Sequence, residues 1–213
     1  MERARNIAGA RLSEIARRHG VAIPKRSTHA KGWTGILLET ALGATAASLP
    51  EPDFQAIGVE LKSVPVRADG RPRESTYICS VPMPGGAVPV WHGSNVRRKL
   101  ARVLWMPVVC EPQSSFTERR VGAPLLWSPS PQEEAGLRAD WEELMDIVCL
   151  GRVDAITARH GTHLQIRPKA ANAAARRRSV GETGEPTQTL PRGFYLRASF
   201  TTAIFQRHYA PKL

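Results

Sequence analysis

The chain has 213 residues, and its 30 lysines and arginines outnumber 19 aspartates and glutamates for a formal net charge of +11. With 42% apolar and 23% charged residues it is neither disordered nor collagen-like. It is long enough for one domain of two joined lobes with a substantial core, and no apolar run reaches the roughly 18 residues that cross a bilayer.

The first twenty residues contain Arg3, Arg5, Arg11, Arg17 and Arg18 without an unbroken apolar core, so no secretory signal is expected. From Ile7 to His19 the apolar spacing predicts a short amphipathic helix stopped by Gly20. Trp33, Ile36, Leu37, Ala41 and Ala44 predict a second helix over roughly 32–47, closed by Pro50 and Pro52. Ile57, Val59 and Leu61 then alternate with Gly58, Glu60 and Lys62, the period of a strand. Asp69-Gly70 marks a turn, with Ser75–Val81 as the expected hairpin partner. Gly85, Gly86 and Pro89 punctuate a loop, and Asn95–Ala101 reads as a short basic helix leading into the apolar strand Val103–Val109.

A further short strand is expected at Pro124–Trp127. Ser130–Leu150 is the clearest helix, with Leu137, Trp141, Leu144, Met145 and Val148 as its core face. Leu164–Ile166 reads as a strand, Ala170–Arg178 as a helix or basic arm, and Thr183–Gln188 as a loop. Phe194–Leu196 reads as a strand and Phe200–His208 as a terminal amphipathic helix. This order predicts an α/β (α+β) fold, with a mixed central sheet near residues 55–110 flanked by helices. Three widely separated cysteines (Cys79, Cys110, Cys149) fit reduced thiols in a cytoplasm.

Charge is unevenly spread. Residues 1–150 hold 19 basic and 16 acidic side chains, while residues 151–213 hold 11 and 3, giving +3 and +8. A basic final third points to a polyanion, most simply nucleic acid, and an aromatic content of 6% argues against a stacking platform for single strands. Against that trend stand Asp53, Glu60 and Lys62. The two-residue repeat sends Glu60 and Lys62 to one face of a strand and Val59 and Leu61 to the other. Two carboxylates and an ammonium there suit a hard-cation site, since Mg²⁺ takes a few carboxylate oxygens plus water and phosphate. On spacing alone the same residues also fit a solvated strand face with a loop aspartate nearby, the commoner use of charge in so short a pattern. Glu39, inside the apolar stretch Ile36-Leu37-Leu38, either has a partner or metal or meets water at a helix boundary.

His160 and His163 lack the further ligands of a zinc set. No phosphate-binding G-x-x-x-x-G-K-[ST] loop and no nucleophile elbow is present.

The stretch Lys31 to Glu39, then Pro52-Asp53-Phe54 and Gly58-Val59-Glu60-Leu61-Lys62, resembles the MutH family, strand-nicking endonucleases of DNA mismatch repair. So do Val96 to Leu100, Arg120 to Gly122, Pro124 to Pro129, Asp140 to Asp146, Ile156 to Gly161, Leu164 to Asn172 and Leu190 to Leu196. The resemblance runs from about residue 30 to the C-terminus. It implies a restriction-endonuclease-like fold whose two lobes, about 1–110 and 111–213, flank a DNA cleft. It implies Mg²⁺-dependent nicking of the unmethylated strand at hemimethylated GATC sites. By it Asp53 and Glu60 hold the metal, Lys62 is the catalytic lysine, Glu39 an auxiliary acid and Lys99 a further active-site lysine. Alone, Lys99 reads as phosphate-facing or solvated in a basic run.

By the same resemblance Lys31, Tyr77, Arg167, Pro168, Lys169 and Tyr195 meet DNA. Arg167 to Lys169 would form a loop entering the groove, Tyr195 would stand beside the adenine whose methylation is sensed, and Tyr77 replaces a family phenylalanine. Arginine pairs bidentately with guanine, whereas lysine mostly meets phosphate, and Arg159 and Arg192 join the residues expected to approach the duplex. Core packing is the other reading for both tyrosines, and Arg176-Arg177-Arg178 reads as a solvated arm of nonspecific attraction. MutL as activator, MutS indirectly, a monomer, no membrane and a cytoplasmic location are also implied. A dimeric GATC restriction enzyme cutting both strands and an inactive GATC-binding module are the alternatives.

Overall fold

A computed structural model describes residues 1–25, 30–46, 49, 51–82, 89–111, 113–169 and 174–209. In chain order the helices are α1 (Glu2–Asn6), α2 (Leu12–His19), α3 (Ala30–Leu42), α4 (Asn95–Leu100), α5 (Pro131–Cys149) and α6 (Ala198–Tyr209). The strands are β1 (Glu60–Val66), β2 (Thr76–Ser80), β3 (Val103–Val109), β4 (Arg120–Val121), β5 (Leu125–Trp127), β6 (Leu164–Pro168), β7 (Arg177–Val180), β8 (Pro186–Thr189) and β9 (Arg192–Leu196). The class is mixed α/β, as the element order predicts. Two compact units share these elements. The first takes Met1–Glu74, Ala101–Ser128 and Thr202–Leu213, and the second Ser75–Leu100 and Pro129–Thr201. A cut near residue 110 falls inside the first of them.

In the first unit β3 is the central strand. It runs parallel to β1, with Glu60 opposite Val103 and Val66 opposite Val109, and antiparallel to β4 and β5. Strands covered on both faces read as unbroken apolar runs, which is why Val103–Val109 stood out in the sequence. Leu104, Met106 and Val108 meet a core that includes Leu12, Ile15, Leu37, Leu38 and Leu61. Trp105 stands against Trp127 and Phe205, with centroids 6.1 and 6.0 Å away.

Two expectations fail here for identifiable reasons. The first long helix begins at Leu12 and not Ile7, because Gly9, Ala10 and Leu12 trade backbone hydrogen bonds with Val121 and Arg119 (2.7–3.0 Å). Pairing with the neighbouring strand overrides helical periodicity. Ser75–Val81 is not the hairpin partner of β1. The turn at Asp69-Gly70 returns the chain only as far as Arg73, whose N–H donates to Pro65 O at 2.9 Å. A parallel β1–β3 pair needs a long crossover, and β2 and α4 lie within that crossover, in the second unit.

The second unit has an antiparallel sheet of order β2-β9-β6 with α5 against β6 and α4 against β2. Ser130 caps α5 reciprocally with Glu133, at 3.2 and 2.8 Å. The predicted core face of α5 is buried throughout. A separate β7–β8 hairpin replaces the expected helix or arm and the expected loop; residues 170–173 lie outside the described set. The expected mixed sheet is that of the first unit, and the described residues form two further sheets, β2-β9-β6 and β7-β8. Cys79, Cys110 and Cys149 form no disulfide. Among the described residues no helix is long and apolar enough to cross a membrane. The loop residues Gly85 and Gly86 lie outside the described residues.

Candidate functional site

Asp53 and Glu60 meet because the chain between them reverses on itself. Phe54 and Val59 exchange both backbone hydrogen bonds, at 2.9 and 3.3 Å, around the 3-10 turn Gln55–Ile57. Gly58 completes the reversal at φ 61°, in the left-handed region where a Cβ is costly. Ile57, expected in the strand, sits in this turn and is exposed. The reversal lays Asp53 against β1, where its Oδ2 accepts from the Leu61 N–H at 2.7 Å. The Asp53 carbonyl also accepts from Thr45 and Ala46 N–H, at 2.9 and 3.3 Å, which ties down the exit of α3. The D-x6-E-x-K spacing thus has a geometric cause: the six intervening residues are the hairpin that returns Asp53 to the backbone between Glu60 and Lys62.

Glu60 is 1% exposed, so it does not lie on a solvated face. Lys62 Nζ donates to Glu60 Oε1 at 2.5 Å, with the lysine side chain 15% exposed. A carboxylate and an ammonium this far from water persist as a pair, since removing either strands the other at a cost of about 3–5 kcal/mol. The donor set is of hard carboxylate oxygens from Asp53 and Glu60. It fits Mg²⁺, which is held by one or two carboxylates and fills its remaining positions with water and substrate phosphate. Among the described residues no three His, Cys, Asp or Glu side chains gather as a cage, so a many-ligand calcium or zinc site has no basis there.

Glu39 lies half-buried on α3, three residues before the end of the helix, and its carbonyl accepts from Gly43 and Ala44 N–H. Lys31 opens the same helix, and its side chain lies outside the described residues. Lys99 is half-buried on α4, in the second unit. That helix is braced by Arg97, whose Nε donates to Glu134 of α5 at 2.8 Å. The bonded guanidinium holds the Glu134 carboxyl below the usual carboxylate range.

The second unit gathers residues from three distant stretches on one sheet. Tyr77 of β2 stands opposite Tyr195 of β9, with ring centroids 5.4 Å apart and edge to face. Lys169 Nζ lies 3.4 Å from the centre of the Tyr77 ring, and the Arg167 guanidinium lies 5.8 Å from that of Tyr195. Cations over ring faces are held by about 0.5–2 kcal/mol each. Arg167 Nη1 donates to Ser75 Oγ at 2.8 Å, and the Tyr77 hydroxyl shares a 3.1 Å hydrogen bond with Ser80 Oγ. Gly193 makes the arrangement possible, because a Cβ there would stand 2.7 Å from Tyr77 Cε2.

Both tyrosines are half-buried, with their rings meeting these cations. Arg167 and Pro168 do not form a loop. They end β6, and the following Lys169 is pinned by its N–H to Pro191 O at 2.7 Å. Arg159 is exposed in a turn. Arg192, expected at the duplex, is instead bonded to Asp154 with its side chain only 11% exposed.

Asp140, Ser75, Ser80 and Gly193 are the supporting residues the sequence reading missed. The Asp140 carboxylate accepts from the N–H groups of Thr162, His163 and Leu164 at 2.9, 2.5 and 2.7 Å. Arg197 holds the preceding turn through the carbonyls of Ala158 and His160, at 2.8 and 2.9 Å. Together they set where β6 begins, and so where Arg167 and Lys169 end up. Asp140 did carry a signal: it lies three residues after Leu137 and four before Leu144, on the apolar stripe of α5. The serines and Gly193 had none.

Residues 42–140 match the family model of the DNA mismatch repair enzyme MutH. The DNA mismatch repair protein MutH of Serratia proteamaculans is 53% identical over 208 residues, 98% of this chain and 91% of that protein. The protein of the same name from Yersinia enterocolitica is also 53% identical over 208 residues, with the same coverage. That from Salmonella paratyphi B is 53% identical over 209 residues, 98% of this chain and 90% of the relative.

Proposed function

The chain belongs to the MutH family of DNA mismatch repair enzymes, and on that footing we propose that it is a Mg²⁺-dependent endonuclease that nicks the unmethylated strand of hemimethylated GATC sites. The observation that carries this reading is the Asp53, Glu60, Lys62 set. It consists of a buried carboxylate–ammonium pair with a second carboxylate bonded to the backbone between them.

Asp53 and Glu60 would hold the metal, and Mg²⁺ there would supply a Lewis acid for the phosphoryl oxygen and make water a better nucleophile. Lys62, kept on site by Glu60, orients the attacking water and offsets the charge that grows on the phosphate oxygens. Water oxygen bonds to phosphorus in line and gives up a proton to solvent, the bond from phosphorus to the 3′ oxygen breaks, and that oxygen takes a proton from solvent. The products are a 5′-phosphate and a 3′-hydroxyl. Glu39 adds to the electrostatics from α3, and Lys99 is assigned a further active-site role by the family resemblance alone. Arg167 reads guanine from the end of a rigid strand and Lys169 meets phosphate. Tyr195 lies against the adenine, where the amino group fits and an added methyl does not. MutL, itself engaged by MutS, switches on a weakly active cytoplasmic monomer.

The test is nicking with Mg²⁺, MutL and ATP on GATC duplexes methylated on neither, one or both strands. The expected outcome is cutting confined to unmethylated strands, with Lys62→Ala at least about 10²-fold slower while still binding duplex. Equal cutting of fully methylated DNA, or wild-type rates in Lys62→Ala, overturns the reading. Sedimentation and the ratio of nicks to double-strand breaks separate it from a dimer that cuts both strands.

A further inference from the structure

Three consecutive arginines, Arg176 to Arg178, take no part in the reading sheet or the metal site, and the β7–β8 hairpin treats them unequally. Arg177 is exposed like its neighbours, but strand alternation sets it on the side of the buried Ser179, and its Nη1 donates to Val81 O at 3.0 Å. It lines a small cavity there with Ser179 and Thr189, both buried, and Val148 and Val153. Arg178 points the other way, opposite Gln188 in the ladder, and it is exposed, as is Arg176 just ahead of the strand.

The hairpin is pinned at both ends. At its tip Gly181 N–H donates to Glu185 O at 2.9 Å, and Glu182 pairs with Arg152 at 3.1 Å. The other acid of the hairpin is also engaged: the Glu185 carboxylate accepts from Thr183 N–H and Oγ, at 3.0 and 2.6 Å. Both acids therefore sit at the tip, and neither strand carries one. The outer face presents the Arg178 guanidinium on the anchored strand, with that of Arg176 just ahead of it, its Nη1 donating to Ala175 O at 3.0 Å.

We propose that this outer face is a second phosphate-contacting surface for duplex DNA, independent of sequence and apart from the aromatic and basic cluster around Tyr77 and Tyr195. Guanidinium groups bind phosphate bidentately, and an anchored strand gives up little further freedom when they do. The surface reads no base, so it supplies affinity and retention on DNA while a site is sought. Arg177 is excluded from it by its bond to Val81 O.

The test measures anisotropy of a duplex of about 30 base pairs without GATC between about 50 and 200 mM NaCl. Each phosphate contact contributes about 0.9 to the slope of log affinity against log salt. The double variant Arg176→Gln/Arg178→Gln is expected to reduce that slope by about 1.8, and Arg178→Lys, which keeps the charge, to preserve it. An unchanged slope in the double variant overturns the proposal. So does an Arg178→Lys variant that loses as much as Arg178→Gln, since that outcome assigns the arginine to packing and not to phosphate. The preference of the wild-type chain for hemimethylated GATC is measured alongside. Its absence would sink the proposed specificity while leaving the salt slope readable.

Discussion

A single carboxylate, that of Asp140, takes the N–H groups of three successive residues leading into the first residue of β6. An alanine there leaves those donors without their acceptor, at about 1–3 kcal/mol for each that stays buried. Asp140→Ala is expected to lower stability by at least about 2 kcal/mol, read as a shift of the urea midpoint at constant slope. Asp140→Asn keeps one oxygen in place for His163 and Leu164 and turns an amide toward Thr162, which is exposed and can take water, so its loss is smaller.

Other residues were legible to different depths. The face shared by Glu60 and Lys62 follows from the two-residue repeat of a strand, and so does the opposite face of Val59 and Leu61. That Glu60 is sealed from water and locked to Lys62 is not in the pattern, because burial is decided by which elements close over the strand.

Among the elements, α5 and β3 were read almost to the residue, since each carries its own instructions: a capping box and an apolar stripe in one, an unbroken apolar run in the other. β2 was placed within a residue at each end but given the wrong partner, and β7 and β8 were not read as strands, because a strand without a strong pattern is defined by its partner. β2 finds β9, more than a hundred residues away, and β7 with β8 forms a hairpin of polar residues that composition alone reads as loop or arm.

α6 was recognised as a helix, but how its end is fastened was not. Tyr209 packs on Phe205, with centroids 5.6 Å apart, and its hydroxyl donates to Ala123 O at 2.6 Å. Burial pushes the phenol up to about 12. The folded chain thus keeps this proton between about 10 and 12 while the unfolded chain loses it near 10. The contribution of Tyr209 is therefore complete below pH of about 10 and is lost as pH rises toward about 12. Tyr209→Phe is expected to cost about 1 kcal/mol at neutral pH and to flatten this alkaline loss, checked by chemical denaturation across that range.

At the scale of the whole molecule, the asymmetry of charge along the sequence dissolves in the fold. Residues 151–213 carry +8 of the +11, yet the compact units divide it differently. The first unit holds 17 basic and 10 acidic residues and the second 13 and 9, so the excess is +7 and +4. The unit that contains the carboxylate site is the more positive of the two. Neutralising one surface therefore removes only part of the attraction for DNA. The salt slope of the wild-type chain on duplex without GATC is expected to be well above the roughly 1.8 assigned to the β7–β8 hairpin. A wild-type slope of that size or less would show that the remaining charge does not reach the phosphates.

Sequence by itself determined the fold class, the family, the acidic and basic residue types at the candidate site and the basic character of the final third. Each of these rests on residue identity, short-range periodicity or a motif in order along the chain. The tertiary structure alone decided that a six-residue hairpin brings Asp53 to Leu61 and that Glu60 is buried against Lys62. It also decided that Tyr77, Arg167, Lys169 and Tyr195 share one sheet face and that Arg192 is bound by Asp154. These depend on contacts between residues far apart in the chain, whose energies come from burial and pairing that no local pattern encodes.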